Sequence, residues 1–208
     1  MKCLTNFFES NRTKTLPHAS LSINLYSHLD TLSLNECFIE KITDESLRNL
    51  INLKILSLEN NRITSVEDFS FYDLKNLVRL NLKSNQISFI YKNTFKGLFS
   101  LKELNLSSNR IESIEAESFK DFSKLEIMIV DNNRLKQLDD NLFDIIPLIN
   151  DSNDPNQMLY LNLSFNNLKI IPKSILSSLL NLKSLDLSNN ELESIDFISH
   201  IGEHHQSA

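Results

Sequence analysis

Leucine and isoleucine recur along this chain in a fixed pattern of hydrophobic and polar positions. The segment that starts at Leu53, LKILSLENNRI, follows L-x-x-L-x-L-x-x-N-x-I and carries Asn61 at the asparagine position. The pattern begins again at Leu77 and at Leu101, each start 24 residues after the last. Related copies start at Leu29, Leu125, Met158 and Leu182. Repetition at a fixed period of this size is typical of a solenoid, in which supersecondary units stack along one axis.

The L-x-L part of each copy predicts a short β-strand. Its leucines point to one face and the intervening residues to the other, because side chains alternate along a strand. A single short strand cannot bury its leucines, so neighbouring copies must stack and pair as a parallel sheet. We expect the outer face of this sheet to be solvated, unlike most parallel sheets, which are covered on both faces. Such an architecture offers a long binding surface rather than an enclosed pocket.

The asparagine position predicts a ladder inside the stack. The chain turns inward after each strand, and the buried backbone groups of that turn need partners, which a short amide supplies as donor and acceptor. We therefore predict structural roles for Cys37, Asn61, Asn85, Asn109, Asn133, Asn166 and Asn190. Cysteine suits this position because it is small and a weak donor.

A second periodic position lies ten residues after the asparagine. It holds phenylalanine in four successive copies, at Phe71, Phe95, Phe119 and Phe143. Aromatic rings stacked one above the other would add buried area on the convex side. The spacing predicts a phenylalanine spine beneath that side.

The repeats indicate one domain over 1–201 and a disordered tail over 202–208. We divide the domain into a degenerate first repeat and seven further repeats: 3–28, 29–52, 53–76, 77–100, 101–124, 125–157, 158–181 and 182–201. The repeat 125–157 is nine residues longer than the others, and its extra segment IPLINDSNDPNQ is rich in loop-forming residues. We interpret this insertion as a tolerated surface loop; a loop that contacts a partner is the alternative.

Composition and charge limit the classes of partner. The net charge is −6 and is not concentrated in one block, which disfavours nucleic acid and anionic membranes. No apolar run is long enough to span a membrane, and the first residues, MKCLTNFFESNR, do not resemble a signal peptide. The two cysteines, Cys3 and Cys37, do not form a disulfide framework. Two thiols are the favoured interpretation, and a Cys3–Cys37 bridge is the alternative.

Motif, period and spine together resemble the leucine-rich repeat family. The segment LKELNLSSNRIESIEAESFKDF, from Leu101 to Phe122, resembles its 24-residue "typical" class, which is similar to the ectodomains of Toll-like receptors, Slit, chaoptin and small leucine-rich proteoglycans. The resemblance implies an α/β fold, a curved horseshoe with short parallel strands on the concave face and loops and short helical turns on the convex face. It also implies a non-enzymatic module that binds a protein ligand on the concave strands.

The compartment follows from the same resemblance. The resemblance implies an extracellular or cell-surface protein. The sequence has neither the cysteine-rich caps of many relatives nor a signal peptide, so it would then be a fragment. The alternative is a cytoplasmic leucine-rich-repeat adaptor, which the missing signal peptide and the few cysteines favour. The ligand and the oligomeric state are left open.

Outward-facing strand positions predict where a protein would bind. The repeats that start at Leu125 and Met158 carry apolar residues at these positions, whereas most other repeats carry polar ones. An apolar patch with a charged rim is typical of a binding hot spot. We predict contacts by Ile127, Ile129, Asp131, Tyr160, Phe165, Lys102 and Glu103. The alternative is that the adjacent insertion covers the patch.

Four N-x-S/T sequons are possible glycosylation sites in a secreted protein: Asn11, Asn105, Asn150 and Asn162. The L-N-L-S sequons belong to the repeat pattern itself and arise without selection for a sugar. Asn162 is expected to lie beside Ile129, so a glycan there would shield the apolar patch. Glycan and patch are therefore competing predictions.

The sequence favours no catalytic, metal or cofactor site. His200, Glu203 and His204 form an H-x-x-E-H motif, which binds zinc when it lies on a stable helix. Here it lies near the chain end and contains Gly202, which disfavours helix. We interpret it as part of a solvated tail and predict no enzyme activity.

Overall fold

The computed structural model describes residues 27–143, 158–179 and 182–194, apart from the side chains of 176–178. Residues 3–26 of the degenerate first repeat, most of the insertion and the tail with its H-x-x-E-H motif lie outside the described residues. In chain order, the elements are β1 (Thr31–Ser33), β2 (Lys41–Ile42), β3 (Ile55–Ser57), β4 (Ser65–Val66), β5 (Arg79–Asn81), β6 (Phe89–Ile90), β7 (Glu103–Asn105), β8 (Ser113–Ile114), β9 (Ile127–Ile129), β10 (Tyr160–Asn162), α1 (Lys173–Ser178) and β11 (Ser184–Asp186).

The concave face is a seven-stranded parallel sheet in the order β1-β3-β5-β7-β9-β10-β11. Two short parallel pairs, β2 with β4 and β6 with β8, follow the first strands of their coils. The predicted leucine-rich repeat solenoid of stacked coils is confirmed. Within the described part of the chain, α1 is the one helix, and no helix there is long and apolar enough to cross a membrane.

The sheet follows the predicted alternation of side chains. The middle residues of neighbouring strands pair in register, Leu56 with Leu80 and Leu80 with Leu104, and all three are buried. The residues on either side of them are less buried and face outward. Burial of the inward leucines holds the coils together, since each buried leucine contributes about 1.5–3 kcal/mol.

Stacked phenylalanines line the core opposite the sheet. Ring centroids lie 5.9 Å apart between Phe71 and Phe95, 6.2 Å between Phe95 and Phe119, and 6.0 Å between Phe119 and Phe143. All four rings are buried. The predicted spine is confirmed.

The longer repeat does not interrupt the sheet. Tyr160 pairs with Ile127, 33 residues earlier, whereas the other neighbouring strands pair residues 24 apart. Strand β10 therefore continues the register of β9 on the far side of the insertion.

Candidate functional site

The asparagine positions form a continuous network of buried hydrogen bonds. Asn109 donates from Nδ2 to the carbonyl oxygens of Leu82 and Leu106, each at 3.0 Å, and its Oδ1 accepts the N–H of Ile87 at 3.1 Å. Corresponding bonds surround Asn61, Asn85, Asn133, Asn166 and Asn190. The amide groups of these asparagines are hydrogen-bonded within the protein. Their role is therefore to hold neighbouring coils together.

Cys37 occupies the same position in the coil that contains β1. Its N–H donates to Oδ1 of Asn61 at 2.9 Å, and the residue is buried. The interpretation of Cys37 as a thiol is wrong, because the residue is disulfide-bonded. Cys3, the other cysteine of the sequence, lies outside the described residues. A cross-link between segments far apart in sequence depends on three-dimensional proximity, which spacing alone does not give.

Strands β9 and β10 bring the apolar outward positions together. Tyr160 pairs with Ile127, and Asn162 pairs with Ile129, all four half-buried on the concave face. On the other side of β9, Glu103 pairs with Ile127. We call Ile127, Ile129 and Tyr160 the concave patch.

The rim of the concave patch carries a close ion pair. Nζ of Lys102 lies 2.6 Å from Oε1 of Glu126. The carbonyl oxygen of Glu126 accepts the N–H groups of Leu159 and Tyr160, at 2.8 and 3.1 Å. The ion pair therefore lies at the edge of the sheet where β9 and β10 begin.

Asp131 and Phe165 lie at the opposite end of these strands. The carbonyl oxygen of Asp131 accepts the N–H of Ser108 at 3.0 Å. Phe165 is 57% exposed and has φ of 52°. Other coils place asparagine, serine or, at Glu36, glutamate at this position, for example Asn132 with φ of 54°. A bulky residue with positive φ is strained, and such strain often occurs at functional sites.

Two of the four sequons lie on either side of the concave patch. Asn105 and Asn162 both pair with Ile129, from β7 and β10. Oδ1 of Asn105 accepts the N–H and the hydroxyl of Ser107, at 2.9 and 2.6 Å. Asn162 makes the same two bonds with the serine two residues later. This local turn explains why Asn-x-Ser suits the repeat; Asn11 and Asn150 lie outside the described residues.

In the last described coil an aspartate replaces this asparagine. Oδ1 of Asp186 accepts the N–H and the hydroxyl of Ser188, at 3.0 and 2.7 Å. The hydroxyl bond from Ser188, followed by its backbone bond, lowers the pKa of Asp186 below its usual value. Asp186 is therefore a carboxylate at neutral pH and adds negative charge beside β10.

A groove that the sequence pattern did not predict lies along the edge where the concave strands begin. Its volume is about 710 Å³, and its lining includes Lys54, Lys102 and Lys124 together with Asn52 and Asn76. These residues come from positions just before and just after the first leucine of successive repeats. Alignment of the repeats at those positions would have revealed the lysines, although not the volume of the groove.

The described residues contain neither a metal-binding cluster nor an unpaired buried polar side-chain atom. Among them no group of three or more His, Cys, Asp or Glu is arranged to hold a metal ion. In the described residues that are buried or half-buried, every buried side-chain nitrogen and oxygen atom has a hydrogen-bond partner.

Comparison with known proteins supports the same architecture. Sequence models described as "Leucine rich repeat" match residues 27–87, 51–111 and 99–150, and another matches residues 181–201. The first three together span more than half of the chain. No curated protein matches the chain significantly.

Two solved structures are similar to this chain. The leucine-rich-repeat protein LIC12759 of Leptospira interrogans aligns with a TM-score of 0.68 and 28% identity, over 90% of this chain and 43% of that protein. The TLR13–ssRNA13 complex aligns with a TM-score of 0.61 and 26% identity, over 82% of this chain and 27% of that chain. The sequence thus spans less than half the length of either protein. The family models and the stacked asparagine ladder agree, and the chain belongs to the leucine-rich repeat family.

Proposed function

We propose that this chain is a non-enzymatic module that binds a protein ligand on its concave face. The observation that carries the proposal is the register of β9 and β10, which places Ile127 beside Tyr160 and keeps Ile129 on the same outward face. Half-buried apolar side chains that converge on one surface can anchor a partner, and the polar groups around them exclude water.

Residues around the concave patch supply the features of an interface rim. Lys102 and Glu126 form an exposed charged pair at one end of the strands, and Asp131 lies at the other end. Phe165 adds an exposed aromatic ring whose strained backbone holds it outward. Aromatic anchors are enriched in binding hot spots, so we propose that Phe165 and Tyr160 insert into the partner.

We further propose that the protein acts outside the cell or at its surface. The disulfide of Cys37 supports this compartment over the cytoplasmic adaptor, because disulfides persist in oxidising environments. The sequons at Asn105 and Asn162 add support only if they carry sugar. A glycan at either site would compete with a ligand for the concave patch, since both asparagines pair with Ile129.

Nucleic acid is the second candidate ligand, because the TLR13 structure is described as a complex with ssRNA13. Binding of nucleic acid relies on neutralising phosphates with basic residues. This chain has a net charge of −6, and Glu103 and Asp131 lie around the concave patch. We therefore retain a protein as the proposed partner.

Comparative affinity capture tests this proposal. Immobilised protein and the double variant Ile129→Asp/Tyr160→Asp would be incubated with extract and secreted material from the native source. We expect at least one protein captured by the native chain to be lost with the double variant and kept with Ser57→Asp, a charge added to a distant concave strand. Equal capture by all three, with intact circular dichroism spectra, would refute the concave patch as the binding site.

The compartment is tested by intact mass. Protein purified from its native source would be weighed before and after enzymatic removal of glycans. A mass loss on deglycosylation, with peptide mapping to Asn105 or Asn162, is the expected result for a secreted protein. An unglycosylated chain with a reduced Cys37 would instead indicate the cytoplasmic adaptor.

A further inference from the structure

The groove follows a continuous ladder of backbone hydrogen bonds across the coils. Lys54 N–H donates to the carbonyl of Asp30, Val78 N–H to that of Lys54, and Lys102 N–H to that of Val78, each at 2.8 Å. The next coil adds Glu126, whose N–H donates to the carbonyl of Lys102 at 2.9 Å. Residues on this ladder succeed one another along the solenoid axis, so Lys54 and Lys102 lie on one line, two coils apart.

The groove is cationic in an acidic protein. Its lining carries three lysines against one carboxylate, Asp30. Nζ of Lys102 bonds to Glu126, whereas neither Lys54 nor Lys124 forms an ion pair with a described residue. Positive charge concentrated in a concave feature of a chain with net charge −6 attracts an acidic ligand.

We propose that this groove binds an extended, acidic polypeptide segment that runs along the solenoid axis. Neighbouring strands of a sheet are about 4.8 Å apart, so two coils separate Lys54 from Lys102 by about 10 Å. An extended peptide in the polyproline II conformation advances about 3.1 Å per residue with about three residues per turn, so carboxylates three residues apart lie on one side and match this spacing. Val78, between the two lysines, faces the uncharged residues of such a segment.

The position of the groove relates this site to the proposed function. The ladder continues from Glu126 to Leu159, beside Tyr160 of the concave patch. One protein partner can therefore place an acidic segment in the groove and an apolar side chain on the patch. The inference rests on the proposed function in taking a protein as the partner, but groove and patch are tested with different probes.

Fluorescence anisotropy with a synthetic peptide tests the groove. The probe is fluorescein-labelled, with glutamate at every third position and serine at the others. We expect saturable binding that weakens as salt rises, because exposed charges are screened. The double variant Lys54→Gln/Lys124→Gln should weaken the affinity about fivefold or more, since each exposed ion pair is individually modest.

A matched control separates a specific site from general charge. Arg110→Gln/Lys136→Gln removes the same charge from exposed residues beyond the ends of the concave strands and should leave the affinity within about twofold. Absence of saturable binding, equal weakening by both double variants, or equal binding of a lysine-for-glutamate peptide would overturn the groove proposal. Ile129→Asp should leave peptide binding unchanged, so failure of the patch and failure of the groove are distinguishable.

Discussion

Nδ2 of Asn109 donates a hydrogen bond to the carbonyl oxygen of Leu82 in the preceding coil, over 3.0 Å. Asn109→Ala would leave the N–H of Ile87 without a partner in a buried turn. The carbonyls of Leu82 and Leu106 would each lose one of two bonds and keep the bond from the neighbouring ladder asparagine. We expect the free energy of unfolding to fall by about 2–4 kcal/mol, because unsatisfied buried polar groups are costly. Urea denaturation followed by circular dichroism measures this loss.

The control for the ladder is an asparagine that bonds at the surface. Asn76 is exposed and donates one bond, to the carbonyl of Ile51 at 2.8 Å. Asn76→Ala should cost about 1 kcal/mol or less, since water can replace the lost partner. Similar losses for Asn76→Ala and Asn109→Ala would contradict a special role of the ladder.

The phenylalanine spine predicts a larger effect. Phe95 is buried between Phe71 and Phe119, with ring centroids 5.9 and 6.2 Å away. Phe95→Ala should lower the free energy of unfolding by about 3–5 kcal/mol, because the cavity removes contacts on both sides. Phe99→Ala, at a ring that is 43% exposed, should cost under about 1 kcal/mol in the same urea titration. Comparable midpoints for the two variants would exclude the spine as a stabilising element.

Strand β9 offers a test of the orientation on which the concave patch depends. Met128 is buried and its neighbour Ile129 is half-buried on the outward face. Met128→Asp should destabilise by about 4 kcal/mol or more, because it buries an unpaired charge. Ile129→Asp should cost about 1 kcal/mol or less and keep the native circular dichroism spectrum. Thermal melts compare the stability of the two variants. Unfolding of both would show that Ile129 is a core residue.

The architecture could be predicted because every coil has to bury its leucines in the same way. Leu56, Leu80 and Leu104 recur at one spacing, and only stacking buries all of them. The alternation of a strand also made Ile129 and its neighbour Asn162 readable as outward positions. Local pattern was sufficient wherever the interaction repeats every 24 residues.

Features that depend on several coils at once were not accessible from the pattern. The groove needs Lys54, Lys102 and Lys124 to lie along one edge of the sheet, and its volume forms only when the coils stack. The disulfide of Cys37 requires knowledge of which segments meet in space. The positive φ of Phe165 follows from its place before the ladder position, although phenylalanine itself disfavours that conformation.

Replacement of Phe165 is expected to have opposite effects on stability and on binding. Phe165→Asn keeps φ of 52° with a residue that tolerates it and should raise the free energy of unfolding by about 1 kcal/mol. If the Phe165 ring anchors the partner, the same variant also weakens affinity capture of that partner. Phe89→Asn is the control, because Phe89 is also exposed but does not have a positive φ. A melting temperature that rises for neither variant would remove strain as the explanation of Phe165.

Asp186 predicts a dependence of stability on acidity. The bonds from Ser188 lower the pKa of the folded carboxyl below its value in the unfolded chain, near 3.9. The ionised form therefore stabilises the fold above that pH, and the stabilisation is lost as the pH falls through the lowered pKa. Asp186→Asn should match the native chain at pH 7, since Asn162 makes the same two bonds in the neighbouring strand.

Thermal melts between pH 7 and pH 2.5 distinguish the two chains. Both lose stability in acid as other carboxylates protonate, but we expect the native chain to lose more than Asp186→Asn below about pH 4. Asp186→Ala should be less stable than either at pH 7, because it also removes the acceptor for the hydroxyl and N–H of Ser188. Identical acid profiles for the native chain and Asp186→Asn would mean that the bonds from Ser188 do not stabilise the ionised carboxylate of Asp186.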